Sequence, residues 1–426
     1  MLDIKRIREN TDEVRRGIES RGMGSALVDN VLELDKQRRE LLTKTEALKE
    51  KRNSVSRQIG KLKKEGRDTS EIQAETRELG EKIAEADSAI REVEDKLRTA
   101  ALQAPNVPFP DVPVGADESA NIQIGEYGSP RNFDFKPRTH IELGESLGIF
   151  DFSRAAKIAG AGFPLFIGAG ARLERALIQF MLDVHVREHG YTEISPPFIC
   201  NTASMTGTGP LPKMAEDMYN IPEDDFYLAP TAEVPVTNYY REEIIDRPLP
   251  VYFTAYTPCW RREAGAAGKE TRGLIRVHQF DKVELVKFVE PETSGQELES
   301  LRKNAEHILQ ILDMPYRILE LCTGDISFAA AKCYDIELWA PGQEAWLEVS
   351  SCSNFGDFQA RRAGIRYRTD KGKIRYVHTL NGSGVALPRL VVAILENGQQ
   401  ADGSVLLPDS LVPYMNGLRK LEPSDD

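Results

Sequence analysis

Between residues 31 and 100 the chain keeps one apolar period over a long stretch. The first seam runs Val31, Leu34, Arg38, Leu41, Thr45, Leu48, Arg52, Val55, Ile59 and Leu62, in alternating steps of three and four. A polar turn at 63–70 interrupts it, with Gly66 to reverse the chain and Ser70 to cap a new helix. The pattern resumes at Ile72, Thr76, Leu79, Ile83, Ala86, Ile90, Val93, Leu97 and Ala100. Two matched seams joined by one turn predict an antiparallel coiled-coil hairpin over 31–100. At ~1.5 Å of rise per residue each helix is on the order of 50 Å long. Residues 1–24 read as a short helical lead-in ending at Gly22 and Gly24.

The proline-rich stretch 104–114 marks a boundary, so an N-terminal domain over 1–103 and a linker precede a second domain over 115–426. Beyond the linker the periodicity changes. Helices are predicted at 172–189, 232–245, 295–312 and 390–396, and strands at 226–228, 251–263, 274–289, 317–321, 334–339, 346–353 and 375–380. Strand follows strand without regular helical crossovers. The expected class is therefore α+β, an antiparallel sheet flanked by helices.

Composition narrows the picture. With 426 residues and 41% hydrophobic content the chain can bury a large core in two or three domains. No run of eighteen apolar residues exists and the first residues lack an apolar signal region, so neither a membrane span nor secretion is expected; the setting is cytoplasmic. The five cysteines form no C-x-x-C pair, which points to reduced thiols and to no zinc site. A net charge of −12 argues against nucleic-acid binding over the whole surface, so any such contact requires a local basic patch. The hairpin offers one: 31–66 holds 11 Lys and Arg against 6 Asp and Glu, whereas 67–100 holds 6 against 10. Two helices attracting each other and a basic stripe facing a phosphate backbone both fit that imbalance.

Candidate chemistry gathers at 251–285. In an extended segment Arg261 and Glu263 share a face; after the glycine-rich loop 264–273, Arg276, His278, Phe280 and Glu284 share another. Pairing the two segments collects arginine, carboxylates and an aromatic ring in one patch. Taken singly, Phe280 also reads as core and Arg261 with Glu263 as a cross-strand ion pair.

Arg261-x-Glu263, the loop and Arg276-x-x-x-Phe280 resemble motif 2 of the class II aminoacyl-tRNA synthetases. The run 380–389, rich in glycine and ending in Arg389, is similar to motif 3, and 190–197, following an amphipathic helix, resembles the dimer-forming motif 1. Thr231-Ala232-Glu233, Glu284, 348–354 and 379–384 resemble the bacterial-type seryl-tRNA synthetases in particular, and with the hairpin the likeness spans nearly the whole chain. Trp260, before the motif 2 arginine, stands where that family usually has a smaller aromatic.

That resemblance implies a homodimer that activates L-serine with ATP and transfers it to tRNA(Ser), and also to tRNA(Sec), with the hairpin gripping the tRNA. It implies that Arg261 contacts the α-phosphate and the serine carboxylate. Phe280 stacks on one face of adenine, Arg389 covers the other and reaches the γ-phosphate, and Glu263 meets the adenine edge. Arg262, Val277, Val349 and Ser350 complete the ATP set. Glu348 is the implied Mg²⁺ ligand with Ser351 as its partner, although strict strand parity puts those two on opposite faces unless a bulge intervenes. Thr231, Ala232, Glu233, Arg261, Glu284, Asn381 and Ser383 form the implied serine pocket. Thr231-x-Glu233 read alone is equally a helix N-cap followed by a first-turn acid.

Other features read as structural. His185 and His189 lie four apart on a helix without an evident third ligand, and Cys352 reads as a core thiol. The basic run from Arg361 to Arg375 either meets the tRNA acceptor end or solvates a loop. Competing functional readings are a class II paralogue adenylating an amino acid for a carrier protein, and a non-catalytic coiled-coil scaffold.

Overall fold

The computed structural model describes residues 1–264 and 272–424, in two compact units, Met1–Pro105 and Asn106–Asp426. The first unit contains α1 (Ile4–Glu9), α2 (Thr11–Glu19), α3 (Ala26–Lys64) and α4 (Ser70–Gln103). The predicted hairpin is α3 packed along α4. Its seam is thin: Val31, Thr45 and Val55 of α3 are buried, as are Leu79, Ile83, Ile90 and Leu97 of α4. One buried α3 residue breaks the apolar pattern. Asp35 is 1% exposed and survives there because Arg8 reaches it at 2.9 Å and Arg39 at 3.0 Å. A carboxylate buried without such partners would carry a desolvation cost of several kcal/mol. Across the hairpin Arg38–Glu94, Lys49–Asp87 and Lys51–Glu75 form ion pairs of 2.8, 2.9 and 2.9 Å. Nearer the tip Arg57, Lys61, Lys63 and Lys64 are exposed. Mutual attraction accounts for the root of the arm; the tip displays its basic residues to solvent.

The second unit is built on eight strands: β1 (Ile122–Tyr127), β2 (Thr192–Glu193), β3 (Val251–Trp260), β4 (Gln279–Val289), β5 (Tyr316–Glu320), β6 (Lys332–Ala340), β7 (Ala345–Asn354) and β8 (His378–Ala386). Their order is β1-β5-β6-β7-β8-β4-β3-β2, antiparallel throughout except for the edge pair β2–β3. Three helices, α5 (Ala169–Arg187), α6 (Ser294–Ile311) and α7 (Leu387–Gly398), join the main core. Leu177 and Met181 of α5, Leu301 and Ile308 of α6 and Leu390 and Ile394 of α7 share it with Val283, Leu285 and Ile336 of the sheet. Val286 and Phe288 of β4 belong to a second core with Phe253 and Tyr240. Period-two alternation along β4 therefore assigns 283 and 285 to one core, and leaves Glu284 on the other face with 286 and 288.

Element identities agree with the sequence pattern more closely than their ends do. The helix expected at 232–245 is five residues long, Glu233–Thr237, followed by a single 3₁₀ turn and the strand Ile244–Ile245. At the helix end the Asn238 side-chain amide donates to the carbonyls of Val234 (2.8 Å) and Ser204 (3.0 Å), tying the terminus to a neighbouring segment. The strand expected at 274–289 begins only at Gln279, because Leu274 donates its N–H to His140 (3.0 Å) and His278 to Gly162 (2.8 Å), outside the ladder. β3 ends at Trp260, three residues short of the expected end, where Arg262 turns aside to the Asp217 carbonyl and Glu263 adopts φ 52°. The stretch expected at 375–380 splits into Ile374–Tyr376 and β8, and α7 is longer than predicted, with Pro388 in its first turn. The proline-rich segment from Asn106 is docked on the second unit: the Asn106 amide bonds the carbonyls of Ala329 (2.9 Å) and Phe355 (2.8 Å). Most of the glycine-rich loop, 265–271, lies outside the described residues. Among the described residues no helix is long and apolar enough to cross a membrane.

Where α5 meets β4, the Glu174 and Asp281 carboxyls form a hydrogen-bonded pair, and the Tyr256 hydroxyl also donates to Asp281 (3.0 Å). Burial, then the Asp281 charge, pushes Glu174 up to about 8, so the pair holds one proton at neutral pH. The folded value lies above the ordinary 4.5, so the pair's contribution is complete below pH 4.5 and is lost as pH rises through 8. Thermal melts of wild type and Glu174→Gln between pH 5 and 9 check this. The wild-type advantage over the variant shrinks with rising pH, because glutamine keeps its neutral donor.

Candidate active site

The cavity that matters is ≈ 440 Å³ and is framed by β4, β7, β8, the start of α7 and the loop before Glu233. Phe280, Lys282 and Glu284 alternate along β4 and all three line it. Glu284 is 1% exposed, and three segments supply its partners. The Thr231 hydroxyl donates at 3.2 Å, the Asn381 amide of β8 at 3.0 Å, and Lys282 forms a close ion pair from the same strand. Ser383 of β8 pairs in register with Glu284 and also lines the cavity. Thr231 additionally accepts the Glu233 N–H at 3.3 Å, but the helix N-cap is Ala232, one residue later than the capping reading placed it.

Glu233 lies beside this group. Burial and the neighbouring Glu284 charge push its carboxyl up to about 7, although the Gln359 amide donates to it at 2.6 Å and Lys282 and Arg261 oppose the rise. Two carboxyls in one sheltered pocket form a strong acceptor for a cation.

The other end of the cavity is arginine-rich. Arg261 donates from Nε to the Pro230 carbonyl at 3.3 Å, and its guanidinium lies 5.2 Å from the Phe280 ring centre. Arg389, in the first turn of α7, is anchored by Nε to the Ile275 carbonyl (3.1 Å) and by Nη1 to the Glu348 carbonyl (2.8 Å). The same Nη1 also faces the Glu348 carboxylate at 3.5 Å. Glu263 and Arg276 form a close ion pair on the rim, which realises the structural reading of Glu263, with Arg276 in place of the expected Arg261.

The bulge that parity demanded is present. Ile336 pairs with Ser350 but Glu337 pairs with Glu348, so Val349 is an extra residue in β7. The parity shift lets Glu348 and Ser351 both line the cavity. Asp335, opposite Ser351 and hydrogen-bonded to it, is held well above the usual carboxylate range by burial, then by Glu348. The Glu348 carboxylate and the Ser351 hydroxyl are hard oxygen donors on one wall of the cavity, a pair that fits Mg²⁺.

Thr231, Glu233, Arg261, Glu263, Val277, Phe280, Glu284, Glu348, Ser351, Asn381, Ser383 and Arg389 thus meet in one cavity. Four expected residues are absent from its lining. Ala232 is fully buried, Arg262 lies 5.7 Å from the Tyr219 ring centre, Val349 is packed in the main core, and the Ser350 hydroxyl donates to the Ser383 carbonyl at 2.6 Å. Ser350 is therefore a support beneath Ser383. Two residues escaped the sequence reading. Lys282 shares a strand face with Phe280 and Glu284, a signal that was available. Gln359, which bonds Glu233 and Thr379, lies more than a hundred positions from the former and has no local signature. Cys352 is buried and its thiol is pushed up to about 12 by burial, in keeping with a core role. The basic run beginning at Arg361 does not form one stripe: Arg362 is buried against the Thr206 and Leu211 carbonyls, and Arg361 and Arg375 pair with Asp357 and Glu292.

Comparison with known proteins agrees with this architecture. Residues 217–398 match the tRNA synthetase class II core domain (G, H, P, S and T), and residues 1–108 match the seryl-tRNA synthetase N-terminal domain. A class II synthetase core thus carries the cavity. The serine–tRNA ligase of Alkaliphilus oremlandii is 56% identical over 98% of this chain and 99% of its own, and that of Geobacter sulfurreducens 56% over 99% and 100%. The seryl-tRNA synthetase of Pyrococcus horikoshii, solved with ATP, superposes with a TM-score of 0.94 at 39% identity, covering both chains fully. The cytoplasmic serine–tRNA ligase of Naegleria fowleri, solved with AMP, gives 0.89 at 27% identity, covering 100% of this chain and 99% of its own. The chain belongs to the seryl-tRNA synthetases, the family of serine–tRNA ligases.

Glu284→Ala leaves Lys282 buried without its counter-charge and removes the acceptor for Thr231 and Asn381. Loss of one partner from a buried pair costs about 3–5 kcal/mol. Urea denaturation of Glu284→Ala is expected to show a loss of that order, whereas Asn381→Ala, which removes one neutral donor, loses about 1 kcal/mol.

Proposed function

We propose that this chain condenses L-serine with ATP to seryl-adenylate and pyrophosphate, then passes the seryl group to the 3′ end of tRNA(Ser) and of tRNA(Sec). The convergence of Arg261, Phe280, Glu284 and Arg389 on one cavity carries this reading. The serine carboxylate is already ionised and attacks the α-phosphorus directly, so no general base is needed; positioning and charge neutralisation lower the barrier. Arg261, between Pro230 and Phe280, offers a planar fork to the carboxylate and the α-phosphate together. Phe280 and Arg389 flank the adenine, and Arg389 reaches the γ-phosphate. Glu263 meets the adenine edge once its pair with Arg276 opens. Glu348 and Ser351 would hold Mg²⁺, which would neutralise phosphate charge. Glu233, ionised on binding, takes the serine ammonium with Thr231, and Glu284 and Ser383 take its hydroxyl. Alanine is rejected because it would leave these buried polar groups unpaired.

The enzyme works as a cytoplasmic homodimer, with the arm of one subunit reaching tRNA. The exposed Arg57, Lys61, Lys63 and Lys64 near the arm tip contact phosphates, each contact releasing counterions. Serine-dependent ATP–pyrophosphate exchange tests the activation step: wild type exchanges, and Arg261→Ala loses at least about a hundredfold in kcat/KM. A wild type without exchange would leave a scaffold as the surviving account. Replacing 31–100 with a short turn tests the arm: charging of tRNA(Ser) falls while pyrophosphate exchange persists. Charging with an unchanged tRNA KM contradicts the arm's role.

A further inference from the structure

β8 leaves its ladder with β4 immediately after Ser383: Ser383 pairs with Glu284 and the next paired residue is Ala386, opposite Lys282. The backbone groups of Gly384 and Val385 take partners from α5. The Gly384 carbonyl meets Nε2 of His185 at 2.8 Å, and the Val385 N–H donates to the Met181 sulfur at 3.1 Å. The His185 ring is fully buried and lies flush against the strand, so that a Cβ at position 384 would sit 2.4 Å from Nε2. Ser383 is thus held on both sides of its carbonyl, by Ser350 at 2.6 Å and by the anchored peptide that follows.

The protonation state of His185 follows from its neighbours. A carbonyl only accepts, so Nε2 carries hydrogen. In the neutral ring Nδ1 is then bare and accepts from Nδ1–H of His189, 2.9 Å away. His189 is left with a bare Nε2, which accepts from Nδ1–H of His307 on α6 at 2.8 Å. Nδ1 of His307 also stands 4.0 Å from the Glu188 carboxylate. Burial pushes His185 down to about 3 and His189 to about 4, in keeping with a neutral chain of rings.

We propose that His185 is a positioning residue for the amino-acid pocket: through the Gly384 carbonyl it sets Ser383 opposite Glu284, and His189 and His307 hold it in the donating tautomer. The proposal rests on the serine-activating reading above and adds to it a residue outside the cavity lining. A ring that loses this tautomer turns a lone pair toward the Gly384 carbonyl, and the hydroxyl-reading end of the pocket loosens. The nucleotide end, held by Arg261, Phe280 and Arg389, has separate supports.

The test is amino-acid-dependent pyrophosphate exchange by the full chain, with serine and ATP varied separately. His185→Phe keeps an aromatic ring without a donor; its serine KM is expected to rise at least about tenfold while its ATP KM stays within about twofold. His185→Gln, whose amide reaches the same carbonyl, recovers most of the loss. Equal rises in both KM values, or a serine KM unchanged in His185→Phe, overturn the positioning role. If His185→Phe fails to fold, His189→Leu, two residues beyond the end of α5 and half-buried, decides. Loss of the tautomer donor raises the serine KM alone by about threefold, and no change there defeats the proposal. A wild type lacking serine-dependent exchange defeats the functional reading itself, an outcome separate from an active wild type with an indifferent His185→Phe.

Discussion

A carboxylate buried in a protein persists only where donors close around it, and Glu284 is where the catalytic unit meets that demand. Lys282 comes from the same strand, Asn381 from β8 and Thr231 from the loop ahead of Glu233. Strand alternation supplies Lys282 and the β4–β8 ladder supplies Asn381, while the hydrogen bond from Thr231 brings the loop over the strand face at the polar end of the cavity. The surrounding cores supply stability, but their apolar contacts would tolerate small displacements that the Glu284 cluster does not.

Two slips in the sheet complete the site. The extra residue at Val349 turns Glu348 and Ser351 to the same side, and the interruption after Ser383 lets β8 turn into α7 with Arg389 in its first turn. A regular antiparallel ladder would place alternate residues in the core and could not present either group this way. Irregular pairing beside a site re-aims side chains at the expense of ladder hydrogen bonds. Here the lost bonds at Gly384 and Val385 are replaced from α5. The phosphate end obeys a different logic. Arg261 and Arg389 are each pinned by a backbone carbonyl through Nε, and Arg389 is held a second time at Nη1 by Glu348.

The arm was the most legible part of the sequence, because a repeated step of three and four over seventy positions has no competing explanation. Strand parity likewise made Phe280 and Glu284 readable as one face, and it flagged that Glu348 with Ser351 needed a bulge. What parity could not reveal was whether the bulge existed. The functional roles came from motif resemblance, since an isolated Arg-x-Glu on a strand is as often an ion pair, and Glu263 indeed has one. Other features had no local signal. Asp35 looks like an ordinary surface acid until Arg8 and Arg39 converge on it, and Gln359 joins Glu233 across a long sequence gap. Element ends were misjudged where a distant group captured a backbone hydrogen, as His140 does at Leu274.

The central claim is that one cavity holds nucleotide and serine together. A structure of the protein with a non-hydrolysable seryl-adenylate analogue tests it directly. The account predicts the adenine between Phe280 and Arg389, the α-phosphate mimic on Arg261, and the seryl hydroxyl between Glu284 and Ser383. An analogue bound with its seryl group away from Glu284, or with its adenine away from Phe280, would contradict it.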